Sequence, residues 1–464
     1  MVVDNIRALR AVGGGAQDVA GESPRSDLDN AELFARWHAD RIRYVWERRQ
    51  WLVYHENGVW RANGGEVEQA AKDTVRELAT LAAGIGDEEA RVKALRWAAT
   101  SQAEPRIRAM LALAQSDPQL VVREHQLDAH PFLLAVANGT LDLASGSLRE
   151  HRAGDLITRG VPVSYDPAAR APRWERFLLE VFDRDLELIE FVQRFCGYLL
   201  TGSTREHVLA VLHGSGANGK STFTEALKDV LGDLATTASF DTFARVRGDR
   251  GPRNDLARLK GSRLVTASES GEGRRLDEAT VKEITGGDTI ACRFLYGEHF
   301  EFQPEFKIVL VTNHRPRVDG DDDAIWRRLR LVPFAQSFEG REDRGLAEAL
   351  RSEREGVLAW MVQGCLVWQQ DGLGSAGAVT RATREYRAEE DHLGAFLADC
   401  CAMAGEVVAA DLRAAYEAWC AGVGERPLAG NTLGRRLTKH GVEIARRTGG
   451  KRVYVGVSVA GSDG

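Results

Sequence analysis

Residues 213–222, HGSGANGKST, carry the residue types best suited to chemistry in this chain. Three glycines let backbone N–H groups converge on one concave point, and a lysine-serine pair follows directly. Lys220 can reach the β- and γ-phosphates of a nucleotide, and the Ser221 hydroxyl can bind Mg²⁺, so the expected cofactors are ATP and Mg²⁺. The predicted nucleotide-binding residues are Gly214, Ser215, Gly216, Ala217, Asn218, Gly219, Lys220, Ser221 and Thr222.

The elements on either side of this loop determine whether it can hold phosphate. Residues 208–212 are an unbroken apolar run, typical of a strand buried on both faces. The stretch KSTFTEALKDVLG predicts a helix that ends at Gly232, with the positive end of its dipole at the loop. This strand-loop-helix context distinguishes the motif from a chance match. We expect Lys220 to lie on an exposed loop.

Two further apolar strands end in polar residues that can complete the site. RLVTASES contains Glu269, and FKIVLVTN ends in Asn313. An acid at the carboxyl edge of a parallel sheet can act as a base or bind metal, and an amide there can orient water or contact the γ-phosphate. We predict Glu269 as the base and, with Ser221, as a metal ligand, and Asn313 as the sensor. Either residue alone could equally be a polar strand end facing solvent.

Arg327 and Arg328 lie between an acidic loop, residues 321–323, and another apolar strand. Arginine is suited to stabilising charge on a transferring phosphoryl group. The alternative for either residue is a surface salt bridge with the acidic loop.

The composition narrows the class of protein. The chain has 464 residues, enough for about three domains. No long uncharged apolar run predicts a membrane helix, and no signal-peptide core opens the sequence. Six cysteines form no CxxC pair, so we expect a cytoplasmic protein with no membrane partner. The formal net charge of −7 argues against a uniformly basic DNA-coating protein, so any nucleic-acid surface must be local.

The region before the loop contains two turn-rich stretches. WERRQWLVYHENGVWRAN predicts a hairpin around an Asn-Gly turn, and VANGTLDLASGSLREH predicts a second β element. Helical patterns lie between them. The aromatic pattern favours core or interface positions over base stacking for four tryptophans, Trp46, Trp51, Trp60 and Trp174.

In order, GSGANGKST, ASE, KEITGGD, FEFQPEFKIVLVTNHRP and WRR resemble the motifs of superfamily 3 helicases. The closest likeness is to the phage and plasmid primase-helicases and the poxvirus primase-helicase. NGTLDLASGSLREHRAGDLITRGVPVSYDP and RWERFL are similar to the domain that precedes the motor in that branch. The resemblance implies an AAA-type ATPase that assembles as a homo-oligomeric ring, a hexamer, and moves along single-stranded DNA.

Residue by residue, the resemblance implies that Lys220 and Ser221 are the Walker A pair and Glu269 the Walker B acid. It implies that Asn313 is sensor 1 and that Arg327 or Arg328 is an arginine finger acting on a neighbouring subunit. This sequence departs from the commoner pattern of two adjacent acids, because serines flank Glu269. Metal coordination can then rest on Ser221 and water.

The predicted fold class is α/β, with an AAA-type P-loop motor preceded by a mostly helical α+β domain and followed by a helical lid and a winged-helix domain. The predicted segments are a flexible lead at 1–30, an N-terminal helicase-associated domain at 31–185, the motor at 186–345, the lid or linker at 346–392 and the winged helix at 393–464.

Two regions are candidates for contacting DNA. Residues 289–295 and 300–306 alternate in polarity and predict a hairpin with its turn near YGEH, a position at which the resembled family contacts DNA. From residue 426 to 454 there are eight Lys or Arg residues and one acid, as expected for phosphate contacts. The alternatives are a solvated hairpin and a protein-interaction module. The predicted DNA-binding residues are Lys282, Arg293, His299, Arg435, Arg436, Lys439, Lys451 and Arg452.

Three functions remain in competition. The first is an ATP-dependent replicative DNA helicase of a phage or plasmid that acts on single-stranded and fork or origin DNA. The second is an ATP-switched origin-binding or regulatory protein without processive unwinding. The third, a small-molecule P-loop kinase, is disfavoured by Asn313, the arginine pair and the basic tail. No primase catalytic module precedes the motor, so we expect any primer synthesis to come from a separate primase or polymerase.

Overall fold

The structure is a computed structural model, and it describes residues 25–245, 253–269, 271, 273–293, 299–318, 323–447 and 450–460. Residues 246–252, Asp321 and Asp322 lie outside these ranges. The turn predicted at YGEH lies outside them except for its last residue, His299. Within them, no helix is long and apolar enough to cross a membrane.

The first part of the chain packs helices against a small mixed sheet. Its strands pair in the order β3-β2-β1-β4, and the helices bury their apolar faces against each other and the sheet. The strands are β1 Ile42–Val45, β2 Gln50–Tyr54, β3 Trp60–Ala62 and β4 Val121–Val122. The helices are α1 Asp27–His38, α2 Glu66–Ala83, α3 Glu88–Ser101 and α4 Glu104–Ala114. Helix α1 begins inside the predicted lead, because Ser26 and Asp29 form a capping box at its start.

The predicted β elements are both present. Strands β2 and β3 pair antiparallel around the Asn-Gly turn, where Gly58 has a φ of 77°. The second element is an antiparallel sheet in the order β5-β6-β7. Its strands are β5 Leu133–Val136, β6 Gly139–Asp142 and β7 Ser147–Arg149. Trp60 and Trp174 are fully buried, as expected for core positions, whereas Trp46 is 48% exposed, so for Trp46 the core position is excluded and the interface position stays a prediction.

The centre of the molecule is a five-stranded, all-parallel sheet in the order β14-β8-β13-β10-β9. Its strands are β8 Leu209–His213, β9 Ala235–Ser239, β10 Leu264–Ser268, β13 Lys307–Thr312 and β14 Leu329–Pro333. Strands β11 Ile290–Arg293 and β12 His299–Phe302 form a separate hairpin. The helices up to β14 are α5 Pro172–Val181, α6 Leu186–Leu199, α7 Lys220–Leu231, α8 Asn254–Ala257, α9 Glu278–Gly286 and α10 Asp323–Trp326. The predicted mixed α/β class is confirmed.

The predicted segment limits at 185 and 345 cross one shared hydrophobic core. Residues of β5, α5, α6, β8 and α7 pack together with those of the helices that follow the sheet. Those helices are α11 Leu346–Ser352, α12 Arg354–Asp371 and α13 Gly377–Glu389. Trp368 of α12 is fully buried and packs against Tyr198 of α6 with the rings tilted and their centroids 4.7 Å apart. Segment 346–392 is therefore bound firmly to the body of the protein.

The last part of the chain has its own apolar core. Its helices are α14 His392–Cys400, α15 Ala409–Val423 and α16 Gly430–Lys439. Its strands are β15 Cys401–Ala402, β16 Glu406–Val408, β17 Glu443–Arg446, β18 Arg452–Val455 and β19 Ser458–Val459. Strands β17 and β18 form an antiparallel pair after α16, and β16 adds to the other side of β18. We call residues 392–460 the C-terminal unit.

Candidate nucleotide site and basic surfaces

The glycine-rich loop joins the carboxyl end of β8 to the start of α7, as predicted. Gly219 has a φ of 87°, and a Cβ atom there would lie 2.9 Å from Val181 Cγ2. A Cβ atom on Gly214 would lie 2.1 Å from Asn218 Nδ2 and 2.3 Å from the Phe334 carbonyl oxygen. Side chains at these two positions would therefore displace the loop from its path. Helix α7 ends as predicted, with Gly232 at its C-cap.

Lys220 lies inside this loop and is only 4% exposed, so the expectation of an exposed lysine is wrong. Its Nζ donates to the Gly214 carbonyl at 2.7 Å, to Asn218 Oδ1 at 2.9 Å and to Asn313 Oδ1 at 3.0 Å. Burial lowers the pKa of this ammonium group from its ordinary value. Among the described residues, the hydrogen-bond partners of this charge are three neutral oxygens and not a carboxylate, which suits the ammonium group to an anionic ligand.

Asn218 anchors the loop to the neighbouring strand. The side chain is buried, and its Nδ2 donates to the Phe334 carbonyl at 3.2 Å while its Oδ1 accepts from Lys220. The N–H of Phe338 donates to the Ala217 carbonyl at 2.7 Å. The chain after β14 therefore supports the loop from the side, a role that the sequence pattern did not reveal.

Glu269 follows β10 directly, next to the end of β13. Its backbone N–H donates to the Val311 carbonyl at 3.1 Å, and its Oε2 accepts from the Thr312 hydroxyl at 2.5 Å. Its Oε1 is buried without a hydrogen-bond partner in the described part of the chain. Burial raises the pKa of this carboxyl group, and the Thr312 hydrogen bond partly opposes the rise. A carboxylate with an unsatisfied oxygen is equipped to accept a proton from water or to bind a cation.

The residues present are compatible with Mg²⁺. Ser221 is exposed at the first turn of α7, and Glu269 offers its unpaired oxygen. Among the described residues no group of three His, Cys, Asp or Glu side chains could hold a metal alone. Mg²⁺ commonly uses one or two protein oxygens together with substrate phosphates and water, so this donor set suits an ion that arrives with its nucleotide.

Arg327 and Arg328 lie at the opposite end of the sheet from the loop. They precede Leu329, which pairs with Leu209 at the start of β8. Arg328 is half-buried and donates to Thr285 Oγ1 at 3.1 Å and to the Ala324 carbonyl at 2.9 Å. The Arg327 side chain is exposed and makes no hydrogen bond or ion pair within the described ranges. Asp323 pairs with Arg387 instead, so its salt bridge does not involve either member of the pair.

The hairpin predicted as a DNA contact is present as β11 and β12, with Arg293 directly opposite His299. Its turn lies outside the described residues. His299 is exposed and Arg293 half-exposed. Lys282 lies on α9, where its Nζ is 3.7 Å from Glu278 Oε2. Lys282 is thus on a separate element from the other two.

The basic residues of the C-terminal unit fall on two adjoining elements. Arg435, Arg436 and Lys439 lie on α16, and Lys451 and Arg452 lie at the start of β18. All are exposed except Arg436, which is half-buried. The Arg452 guanidinium lies over the Tyr454 ring, 5.6 Å from its centroid.

The structure thus brings together Lys220, Glu269 and Asn313 with the glycine-rich loop, while the arginine pair and the two basic surfaces lie elsewhere. Sequence reasoning missed Thr312, which orients Glu269. A threonine directly before Asn313 at a predicted strand end was the available signal, because neighbouring parallel strands end side by side.

Fold and site together define a mixed α/β protein with a parallel sheet and a glycine-rich loop at its carboxyl edge. Two family models match the chain: "D5 N terminal like" over residues 31–183 and a family of unknown function, DUF5906, over residues 212–328. The apo structure of the NrS-1 C-terminal region is similar in fold, with a TM-score of 0.50 at 10% identity, covering 94% of this chain and 100% of that one.

Viral proteins are similar to the chain in sequence. A protein of Acanthamoeba polyphaga mimivirus named "Putative helicase L207/L206" is 30% identical over 295 residues, covering 59% of this chain and 31% of the relative. "Primase D5" of fowlpox virus is 22% identical over 227 residues, covering 46% and 28%. The chain therefore spans about a third or less of the length of these relatives. The family matches and these similarities support a relationship of the chain to the D5-type superfamily 3 helicases.

Proposed function

We propose that the chain is an ATP-dependent DNA helicase of a phage or plasmid replication system, which forms a ring and moves along single-stranded DNA. The observation that carries the proposal is the hydrogen bond between Lys220 Nζ and Asn313 Oδ1. It joins the glycine-rich loop to the end of the neighbouring strand at the point where a γ-phosphate would lie. Nucleotide occupancy can thereby affect the loop that follows Asn313.

The residues of this chain would divide the work of hydrolysis between them. Backbone N–H groups of the loop and the Lys220 ammonium would hold the phosphates. Ser221 and Glu269 would hold Mg²⁺, which supplies charge neutralisation when bound. Glu269 would accept a proton from the attacking water, and Asn313 would orient that water.

An arginine on the neighbouring subunit would complete each site. Arg327 is exposed at the far end of the sheet and cannot reach the loop of its own chain. Arg328 already donates to Thr285 and Ala324, so the contacts favour Arg327 as the finger. This arrangement supports a homo-oligomer, with a hexamer as the proposed ring.

DNA would be held by charge rather than by base readout. Arg293 and His299 on the hairpin are candidates for phosphate contacts in a channel, and Lys282 on helix α9 is a third candidate. The α16 and β18 cluster, as a winged helix, would engage fork or origin duplex. A separate primase or polymerase would supply primers, in the cytoplasm of the host.

Strand displacement on a forked DNA substrate tests the proposal. The wild-type chain should displace a labelled strand with ATP and Mg²⁺, and Arg293→Ala/His299→Ala should lose displacement while keeping ATPase activity without DNA. Arg381→Ala/Arg384→Ala removes two exposed arginines from α13 and is the matched control. ATPase activity with no displacement on any fork polarity would contradict the helicase assignment.

The second candidate is an ATP-switched DNA-binding protein without processive unwinding. Contacts between the loop after Asn313 and the C-terminal unit favour it, since Arg317 pairs with Glu425 at 2.7 Å. Such a protein would bind duplex more tightly with ATP and show no displacement, so the same assay separates the two.

A further inference from the structure

A cavity of about 220 Å³ lies between the central sheet region and the C-terminal unit. Two segments on the sheet side, the end of α13, the helices α14, α15 and α16 and the loop between α15 and α16 line it. Its basic lining consists of Arg275, Arg317, Arg426 and Arg436. The only carboxylates in its described lining belong to Glu390 and Glu425. Arginine side chains therefore outnumber acids by two to one in its described lining.

The two sheet-side arginines are held side by side by the backbone. Arg275 and Arg317 form an isolated parallel bridge, in which the Leu276 N–H donates to the Arg317 carbonyl at 2.9 Å. The Arg317 N–H donates in turn to the Arg274 carbonyl at 2.7 Å. The cavity therefore has a basic wall of fixed backbone geometry.

Both carboxylates in the described lining of the cavity already contact protein groups. Glu425 Oε1 lies 2.7 Å from Arg317 Nη1 and 4.0 Å from His392 Nε2. Glu390 Oε2 accepts from the Val318 N–H at 3.0 Å. A phosphate group would meet four guanidinium groups in a described lining that holds two carboxylates.

We infer that this cavity binds a phosphate group. Planar guanidinium groups match phosphate oxygens in pairs, which a carboxylate-poor cavity favours. The volume is below the roughly 300–1,000 Å³ of sites that enclose drug-sized ligands, so it suits a phosphate or pyrophosphate group rather than a whole nucleotide. The phosphate is either a free ion or a phosphodiester of a DNA strand. The inference goes beyond ATP hydrolysis and does not depend on it.

The experiment uses the full chain with Lys220→Ala, so that the glycine-rich loop does not compete for ligand. Pyrophosphate is titrated by calorimetry at constant ionic strength. Arg275→Gln/Arg426→Gln should weaken binding by roughly tenfold or more, because two charged hydrogen-bond donors are lost. Arg381→Gln/Arg384→Gln, with the same charge change outside the cavity, should bind as the parent does. Absence of saturable binding by the parent, or equal losses in both double variants, would overturn the inference.

Glu425→Gln is a second variant, and its expected effect cannot result from a protein that fails to fold. It removes the carboxylate that competes for Arg317, so pyrophosphate affinity should rise severalfold. A damaged fold would not raise affinity, and an unchanged or lower affinity counts against the site.

A fluorescent thymidine oligonucleotide distinguishes a DNA phosphodiester from a free phosphate as the ligand. If the arginine variant weakens oligonucleotide binding and pyrophosphate competes with it, the ligand is a DNA phosphodiester. If only pyrophosphate binding is lost, it is a free phosphate.

Discussion

Lys220 and Asn313 are 93 residues apart in sequence, yet the lysine Nζ donates to the asparagine Oδ1 at 3.0 Å. Lys220→Ala should therefore abolish ATP turnover, because it removes the only ammonium group among the described contacts of the loop. Since Lys220 is buried, the change should also cost about 1–2 kcal/mol of stability through three unsatisfied acceptors. ATPase assays and thermal melts measure the two effects. Wild-type turnover in the folded variant would contradict the proposed phosphate contact.

Glu269→Gln should keep ATP binding and slow hydrolysis by roughly 10²–10⁴-fold, since an amide has the same volume but cannot accept the proton. Nucleotide binding followed by fluorescence, beside single-turnover hydrolysis, separates the steps. Loss of binding together with hydrolysis would mean that Glu269 acts first as a metal ligand, and the role proposed for it as a base would be wrong.

Thr312→Val should lower kcat by ~10-fold with little change in KM for ATP, because it removes the hydroxyl that donates to Glu269. The same hydroxyl lies within hydrogen-bond distance of the His314 carbonyl, and with one hydrogen it serves one acceptor at a time. Thr312→Ser keeps the hydroxyl and should restore most of the rate. A serine variant as slow as the valine variant would indicate that the methyl group, through packing, is what matters.

The sequence was enough to predict the strand, loop and helix around Lys220, because short apolar runs and glycine spacing are local signals. It also predicted that Glu269 and Asn313 end strands at the carboxyl edge of the sheet, and the structure shows that these strands are neighbours. It failed where contacts connect distant segments. The burial of Lys220 depends on Asn313 and on the loop folding back over the ammonium group. The support from Phe334 and Phe338 depends on strand order, which apolar runs do not encode.

The same limit explains the segment boundaries. The sequence predicted separate lid and motor segments, but the apolar face of α12 packs on α6 and shares one core with it. Trp46 and Trp60 have the same residue type and similar neighbours in sequence. Only the fold of the β1-β2-β3 sheet determines that the first is exposed and the second buried.

Glu124→Gln should destabilise the protein at pH 7 by about 1–2 kcal/mol and by less at pH 3. Arg48 and Lys260 lower the pKa of this half-buried carboxyl from its ordinary 4.5 to about 2. A depressed native pKa adds stability above the unfolded value, and that stability is lost as pH falls from about 4.5 toward 2. Urea unfolding at both pH values measures the difference in the free energy of unfolding between the wild type and the variant. Glu89→Gln, which removes an exposed partner of Lys93, is the control and should change little at either pH.

Arg327 should act on the nucleotide of a neighbouring subunit. The residue precedes β14 at the end where Leu329 pairs with Leu209, whereas the loop follows His213 at the other end. The four residue steps between Leu329 and Pro333 span about 13 Å at ~3.3 Å each, so Arg327 cannot turn back to its own Lys220. An exposed guanidinium in this place can meet phosphate only across an interface between subunits.

Subunit mixing measures this directly. A Lys220→Ala chain and an Arg327→Ala chain should each be inactive alone, and mixtures should recover part of the hydrolysis. Some interfaces then combine an intact loop from one chain with an intact arginine from the next. Arg328→Ala is the matched comparison, because the contacts of Arg328 to Thr285 and Ala324 are internal. This variant should lose stability. Mixed with Lys220→Ala, it should give no more ATPase activity than the wild-type chain gives in the same mixture. If mixtures shown to co-assemble recover no activity at any ratio, Arg327 does not act in trans, and the ring proposed from its position loses its support.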